Sequence, residues 1–332
     1  MTAAAGVRGA TLWFAGASFA SAALQYGLFF LVARLLGVEA YGGFSLALTV
    51  AVLAAPWTDL GTSVALVRTG SQTPERTMAA FAAALRLRLC AALPVGLAAL
   101  GIGACCGYGA DFVWLFAPLY LAALLDGVAA TSAAVCQAER RARTAAGLLL
   151  SRNGLRAVAL AVMLLADGGA IALAWAFAGG SLLGAAVGLR VAAAGRALDR
   201  ASAPLLATVR EAWPFGAAVL ATIVHGQIDI AVIGAACGPA DVGRYHAAMR
   251  LVLLVQMLPQ ALSSASAPLA YRAAVLDPEA TARLLHLKLV ALGWLGALTA
   301  LCLACAGDFV TDAVLGERFA GSGVFLIALA PV

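Results

Sequence analysis

Charge is the scarcest property of this chain. Only 11% of its 332 residues are Asp, Glu, Lys or Arg, and of the 21 basic residues one, Lys288, is not Arg. Soluble domains carry about 25% charged and about 45–50% apolar residues. Here 64% of residues are apolar and the mean hydropathy is +0.98, which excludes the pair of soluble cores that the length would otherwise suggest. Catalytic signatures are missing too. The chain has no G-x-x-x-x-G-K-[ST] phosphate loop, H-E-x-x-H or G-x-S-x-G, so it is read neither as an ATP-driven machine nor as an enzyme. "GIGACCG" at 101–107 is Gly-rich but lies inside an apolar helix instead of following a strand, so it is no dinucleotide site. Seven Cys are scattered through apolar stretches without a disulfide spacing. Cys302 and Cys305 spell C-x-x-C but have no second ligand pair, and the Cys residues are read as buried small hydrophobes. No cofactor or metal is expected. The net charge of +5 comes from short clusters between apolar runs, not from a basic stripe, which argues against nucleic acid.

What is present is a series of apolar runs of membrane length. Helices are expected near 10–34, 42–66, 79–104, 112–136, 146–166, 169–194, 213–236, 242–270 and 284–306, followed by a tail from Phe319. Such runs cross a bilayer as helices, the single-segment structure that satisfies its own backbone, and they are too long and unbroken for barrel strands. The fold class is therefore all-α, a polytopic membrane bundle. If the helices alternate, 17 of the 21 basic residues fall on one side, and Glu39, Asp111, Asp167, Asp241, Asp308 and Asp312 fall on the other. The positive-inside rule then puts the N-terminus in the cytoplasm.

A short pattern occurs twice. "GVEAYGGF" (37–44) and "GPADVGRY" (238–245) both read Gly, four residues, Gly, one residue, aromatic, and each precedes a helix with a Pro, Pro56 or Pro259. In the first copy Gly37, Gly42 and Gly43 are expected to supply the freedom of a tight outer turn. The even number of helices between the copies predicts two lobes inserted the same way. The boundaries follow: a six-helix lobe at 1–198, a cytoplasmic linker at 199–212, and a second lobe of about four helices at 213–332. The last apolar run stops at Val332, so the second lobe is expected to be incomplete.

Ionisable residues inside apolar runs are functional candidates because burial in lipid costs several kcal/mol. Arg86 and Arg88 lie in the third helix, Arg152 and Arg156 share a face of the fifth, and Arg250 lies in the eighth. Asp126 is the expected partner of Arg156. Asp59 follows the Pro56 kink, and His225 with Asp229, four apart, is expected to face its partner as a relay or packing pair. Gly180, Gly184 and Gly188 form a small-residue ridge expected to pack helices.

The stretches "LVARLLGVEAYGGFSLAL", "DLGTSVALVR", "FGAAVLATIVHGQIDIAVIGAACGPADVGRYHAAMRL" and "LGERFAGSGVFLIALAP" resemble the Wzx-type flippases of the multidrug/oligosaccharidyl-lipid/polysaccharide exporter superfamily. The resemblance implies two helical lobes around a cavity and a polyprenyl-diphosphate-linked oligosaccharide carried from the cytoplasmic to the periplasmic leaflet of the inner membrane by alternating access. It also implies glycan polymerase and glycosyltransferase partners. On this reading Arg86, Arg88, Arg156 and Arg250 hold the diphosphate, while Asp59, Asp126, Asp229 and His225 balance charge or couple an ion. Two other readings stay open: a cation-coupled drug exporter of the same superfamily, and an inactive remnant or membrane scaffold.

Overall fold

The computed structural model describes residues 2–139, 141–193, 205–254, 256, 278–316, 319 and 321–329. Every regular element among them is helical. In chain order these are α1 (Thr2–Leu36), α2 (Val38–Ala54), α3 (Pro56–Asp59), α4 (Thr62–Gln72), α5 (Thr77–Cys105), α6 (Ala110–Ala138), α7 (Ala142–Leu165), α8 (Ala170–Ala193), α9 (Leu205–His225), α10 (Ile228–Ala236), α11 (239–254), α12 (Pro278–Leu315) and α13 (Gly323–Leu329). Five stretches are long and apolar enough to span a bilayer, Val38–Asp59, Pro74–Cys105, Ala110–Ala138, Arg143–Leu165 and Ala170–Ala193; the pair α9 and α10, bent by 45°, makes a sixth if taken as one span.

In lipid, apolar burial between helices gives little driving force, so close packing and polar contacts must hold the bundle. The Gly ridge of α8 shows how. A Cβ at Gly180 would lie 2.5 Å from the Arg156 Cα, and one at Gly184 would lie 3.1 Å from the Arg152 Cα. Gly188 sits against α6, where a Cβ would come 3.1 Å from that of Ser132. The ridge therefore presses α8 onto α7 and α6. Central to the bundle is α2, buried along most of its length from Tyr41 to Ala54.

The sequence expectation placed the turn of "GVEAYGGF" too broadly. Only Gly37, with φ 80°, leaves the helical region, and α2 begins at Val38, so Gly42 and Gly43 lie inside the helix. Gly238 repeats Gly37 with φ 98°. The second span also breaks later than the Pro suggests. Pro56 opens α3 as its first residue, and the break falls at Leu60 and Gly61, with φ 47° and 83°, before α4 restarts at Thr62. Pro removes a donor without requiring a positive φ, so the break falls instead at the two left-handed residues Leu60 and Gly61, of which Gly61 adopts that conformation without a Cβ penalty. The expected linker is partly helix, since α9 begins at Leu205; residues 199–204 and Pro259 lie outside the described residues. Among the Cys, Cys136 is buried, whereas Cys90, Cys105, Cys106, Cys237, Cys302 and Cys305 are exposed on the bundle. The expectation of buried Cys is corrected accordingly: a thiol apolar enough for a core also suits a lipid-facing surface.

Candidate functional site

Arg88, Arg156 and Arg250, on three different helices, are the buried or half-buried cations around which the site is built. Arg88 lies 11 residues into α5, about 16 Å along it at 1.5 Å per residue. Its Nη2 donates to Asp59 Oδ1 at 2.6 Å and its Nη1 to Thr58 Oγ1 at 3.2 Å. Asp59 in turn accepts from Thr62 Oγ1 at 2.9 Å and Ser63 Oγ at 2.8 Å, so this carboxylate sits at the N-terminus of α4, where a negative charge is favoured. Gly127 on α6 leaves room for the guanidinium, for a Cβ there would meet Nη1 at 2.0 Å. Arg88 and Asp59 thus tie the broken second span to α5.

Arg86, two residues earlier, takes no part. It is exposed on the stripe of α5 that carries Leu89, Leu93 and Leu97, all exposed. Two residues along a helix turn a side chain by about 200°. Arg86 is therefore not brought together with Arg88: its side chain is exposed on the outer stripe of α5, on the opposite face of the helix.

Arg156 is buried on α7 and donates to both carboxylate oxygens of Asp126 on α6, as well as to Ser181 Oγ on α8 at 3.0 Å. Its guanidinium carbon lies 4.0 Å from the centre of the Phe177 ring. The Gly180 contact makes this geometry possible by bringing the α7 and α8 backbones together under the ring. A small cavity between α1, α2, α7 and α8 is lined by Arg156, Phe177, Phe29 and Gln25.

Arg250 is held differently. It lies 11 residues into α11, about 16 Å from the helix start. The guanidinium packs 4.3 Å from the centre of the Phe29 ring and 5.6 Å from that of Tyr26, both on α1. Its Nε donates to His246 Nε2 at 3.2 Å, and His246 Nδ1 lies 3.0 Å from the hydroxyl of Tyr41 on α2. Among the described residues no carboxylate forms an ion pair with Arg250. Phe29 and Phe177 sit 6.3 Å apart, so an aromatic ladder runs from Arg156 to Arg250.

Of the acidic candidates, Asp59 and Asp126 therefore neutralise Arg88 and Arg156. The expected His225–Asp229 pairing is corrected. The helix breaks at Gly226 and Gln227 between them, which destroys the i, i+4 relation, and His225 is exposed. Asp229 instead accepts from the Tyr245 hydroxyl of α11 and from the Ile230 N–H at 2.8 Å. Sequence reasoning passed over His246, Tyr41, Tyr26, Phe29 and Phe177. His246 was legible by the same rule that misled at His225, because it precedes Arg250 by four on an unbroken helix.

The two copies of the repeated pattern meet face to face. A Cβ on Gly42 would fall 1.7 Å from the Pro239 carbonyl oxygen, and one on Gly243 would fall 2.2 Å from that of Val38. Gly42 corresponds to Gly243 and Val38 to Pro239 at the offset of 201, so the contact is reciprocal. Toward the other end of the second span Gly61 meets α9, where a Cβ would lie 2.7 Å from the Ala212 carbonyl oxygen.

Known structures share this architecture. The chain superposes on the inward-facing conformation of a multidrug resistance MATE family transporter of the MOP superfamily with a TM-score of 0.69 at 16% identity, covering 94% of this chain and 76% of that one. The outward-facing conformation of a multidrug resistance MATE family transporter of that superfamily gives a TM-score of 0.62 at 16% identity, covering 97% and 79%. At such identities the likeness is one of fold. No curated protein matches the chain. Residues 7–272 match the family described as polysaccharide biosynthesis protein, and the chain, a multi-pass membrane protein with the fold of the MOP exporters, belongs to that family.

Proposed function

We propose that this membrane exporter carries a polyprenyl-diphosphate-linked oligosaccharide across the inner membrane, from the cytoplasmic to the periplasmic leaflet, for surface polysaccharide assembly. The observation that carries the proposal is Arg250: a half-buried cation eleven residues into α11, seated on aromatic rings, with no carboxylate partner among the described residues. An unneutralised guanidinium there is costly unless it meets an anion, and guanidinium binds phosphate oxygens in pairs. Arg250 is the principal diphosphate contact in this reading, and Arg156 adds positive potential from across the Phe29–Phe177 ladder while Asp126 limits it. Arg88 with Asp59 shapes the second span and does not touch the cargo. Alternating access would open and close the α2–α11 contact around the site, with the N-terminus on the cytoplasmic side. Glycosyltransferases would supply the substrate and a glycan polymerase would take it.

The test is deletion of the gene followed by analysis of surface glycan and of lipid-linked intermediates. Lipid-linked oligosaccharide accumulates in the deletion strain, and R250A fails to clear it although the protein inserts normally. Unchanged glycan together with heightened drug sensitivity would move the reading to a drug exporter.

A further inference from the structure

The Arg250 site has a second component on the same helix that contacts no cargo. His246 is buried between the lobes, and both of its ring nitrogens are engaged. An Arg Nε–H only donates, so Nε2 of His246 must offer its lone pair. In the neutral ring the proton then sits on Nδ1 and is donated to the Tyr41 hydroxyl. One tautomer thus satisfies both contacts, and the ring links α11 to α2 of the facing lobe.

The consequence for Arg250 is geometric. Three supports define its plane: the Phe29 ring at 4.3 Å, Tyr26, and the Nε bond to His246. The first two fix which face of the guanidinium is covered. The third fixes rotation about the side-chain axis, because it occupies the Nε–H and directs the terminal amino groups away from His246. Bidentate recognition of a phosphate depends on that orientation.

We propose that His246 is the positioning residue of the anion site: by accepting the Arg250 Nε–H while donating to Tyr41, it holds the guanidinium with its terminal amino groups presented to a phosphate. The inference rests on the reading of Arg250 as the phosphate contact. Tyr41 completes it from the other side, edge-on to Phe319 with ring centres 6.0 Å apart, and keeps the imidazole from rotating.

The experiment uses the full chain in lipid nanodiscs and polyprenyl diphosphate as probe, with affinity measured for wild type, R250A, H246L, H246Q and the double variant R250A/H246L. R250A loses binding by tenfold or more. H246L, similar in bulk but without an acceptor, loses about tenfold, whereas H246Q, which retains an acceptor for Nε–H, stays within threefold of wild type. In the R250A background H246L has no further effect, a non-additivity that a merely structural role would not produce. Wild-type affinity in R250A would overturn the anion-site reading itself. Loss in R250A with H246L unchanged, H246Q as damaged as H246L, or equal H246L effects in both backgrounds would leave that reading standing and overturn the role of His246.

Discussion

Arg88, Arg156 and Arg250 are chemically alike, and their neighbours give them different work. Arg156 is buried with Asp126 as its counter-charge, and removing either partner strands the other in a medium that solvates it poorly. Asp126→Asn should therefore destabilise the protein by about 3–5 kcal/mol, the range for breaking a buried pair. The double variant D126N/R156M should recover most of that loss, because it removes both charges. Thermal melting in detergent reads the difference, and a double variant no more stable than D126N would show that Arg156 is needed for packing rather than for charge. This pair was legible in the sequence, since Arg156 and Asp126 both fall well inside apolar runs. The exposed stripe that carries Arg86 was not legible, because three-dimensional packing decides which face of an apolar helix is buried.

At the scale of the element, the second span is a helix deliberately interrupted. Thr58 donates to the Ala55 carbonyl at 2.6 Å beside Pro56, while Asp59 gathers the hydroxyls of Thr62 and Ser63 at the start of α4. These side chains replace backbone partners that lipid cannot supply. The break itself needs Gly61, both for its φ of 83° and because the α9 backbone leaves no space for a Cβ. Gly61→Ala should cost about 1–2 kcal/mol for the left-handed conformation alone, and more for the contact. Pro56→Ala should cost less than about 1 kcal/mol, since it restores a backbone donor in a helix that is already formed. Protease susceptibility of the 60–62 segment orders the two variants, and equal effects would place the hinge at the Pro after all. Hydropathy announces a kink somewhere after Pro56, but it is blind to the α9 backbone that makes Gly61 necessary.

For the whole molecule, the decisive contact is the one between the repeated patterns. Overpacking a tight contact costs about 1–3 kcal/mol, and about 1.4 kcal/mol is a factor of ten in an equilibrium. Gly42→Val and Gly243→Val should thus each reduce complementation of glycan export by about tenfold or more. Their effects should be similar in size because the contact is reciprocal, and a severe loss in one with wild-type activity in the other would refute that symmetry. Orientation is testable separately. A reporter fused after Gly107 should be active outside the cytoplasm and one fused after Arg141 inside it, and the opposite pattern would overturn the proposed orientation.

Composition alone determined that this chain lives in a bilayer as helices, because no other structure accommodates so many apolar residues in runs of that length. Spacing alone suggested two related halves, since Gly and aromatic residues recur at a fixed offset. Only the tertiary structure decided which cations are neutralised and which stands without a carboxylate among the described residues, because ion pairing depends on distance across helices far apart in sequence. It also turned Gly42 from an expected turn residue into a contact surface: the sequence records that a side chain is missing there, but the Pro239 carbonyl that fills the space comes from α11, about 200 residues away in the chain.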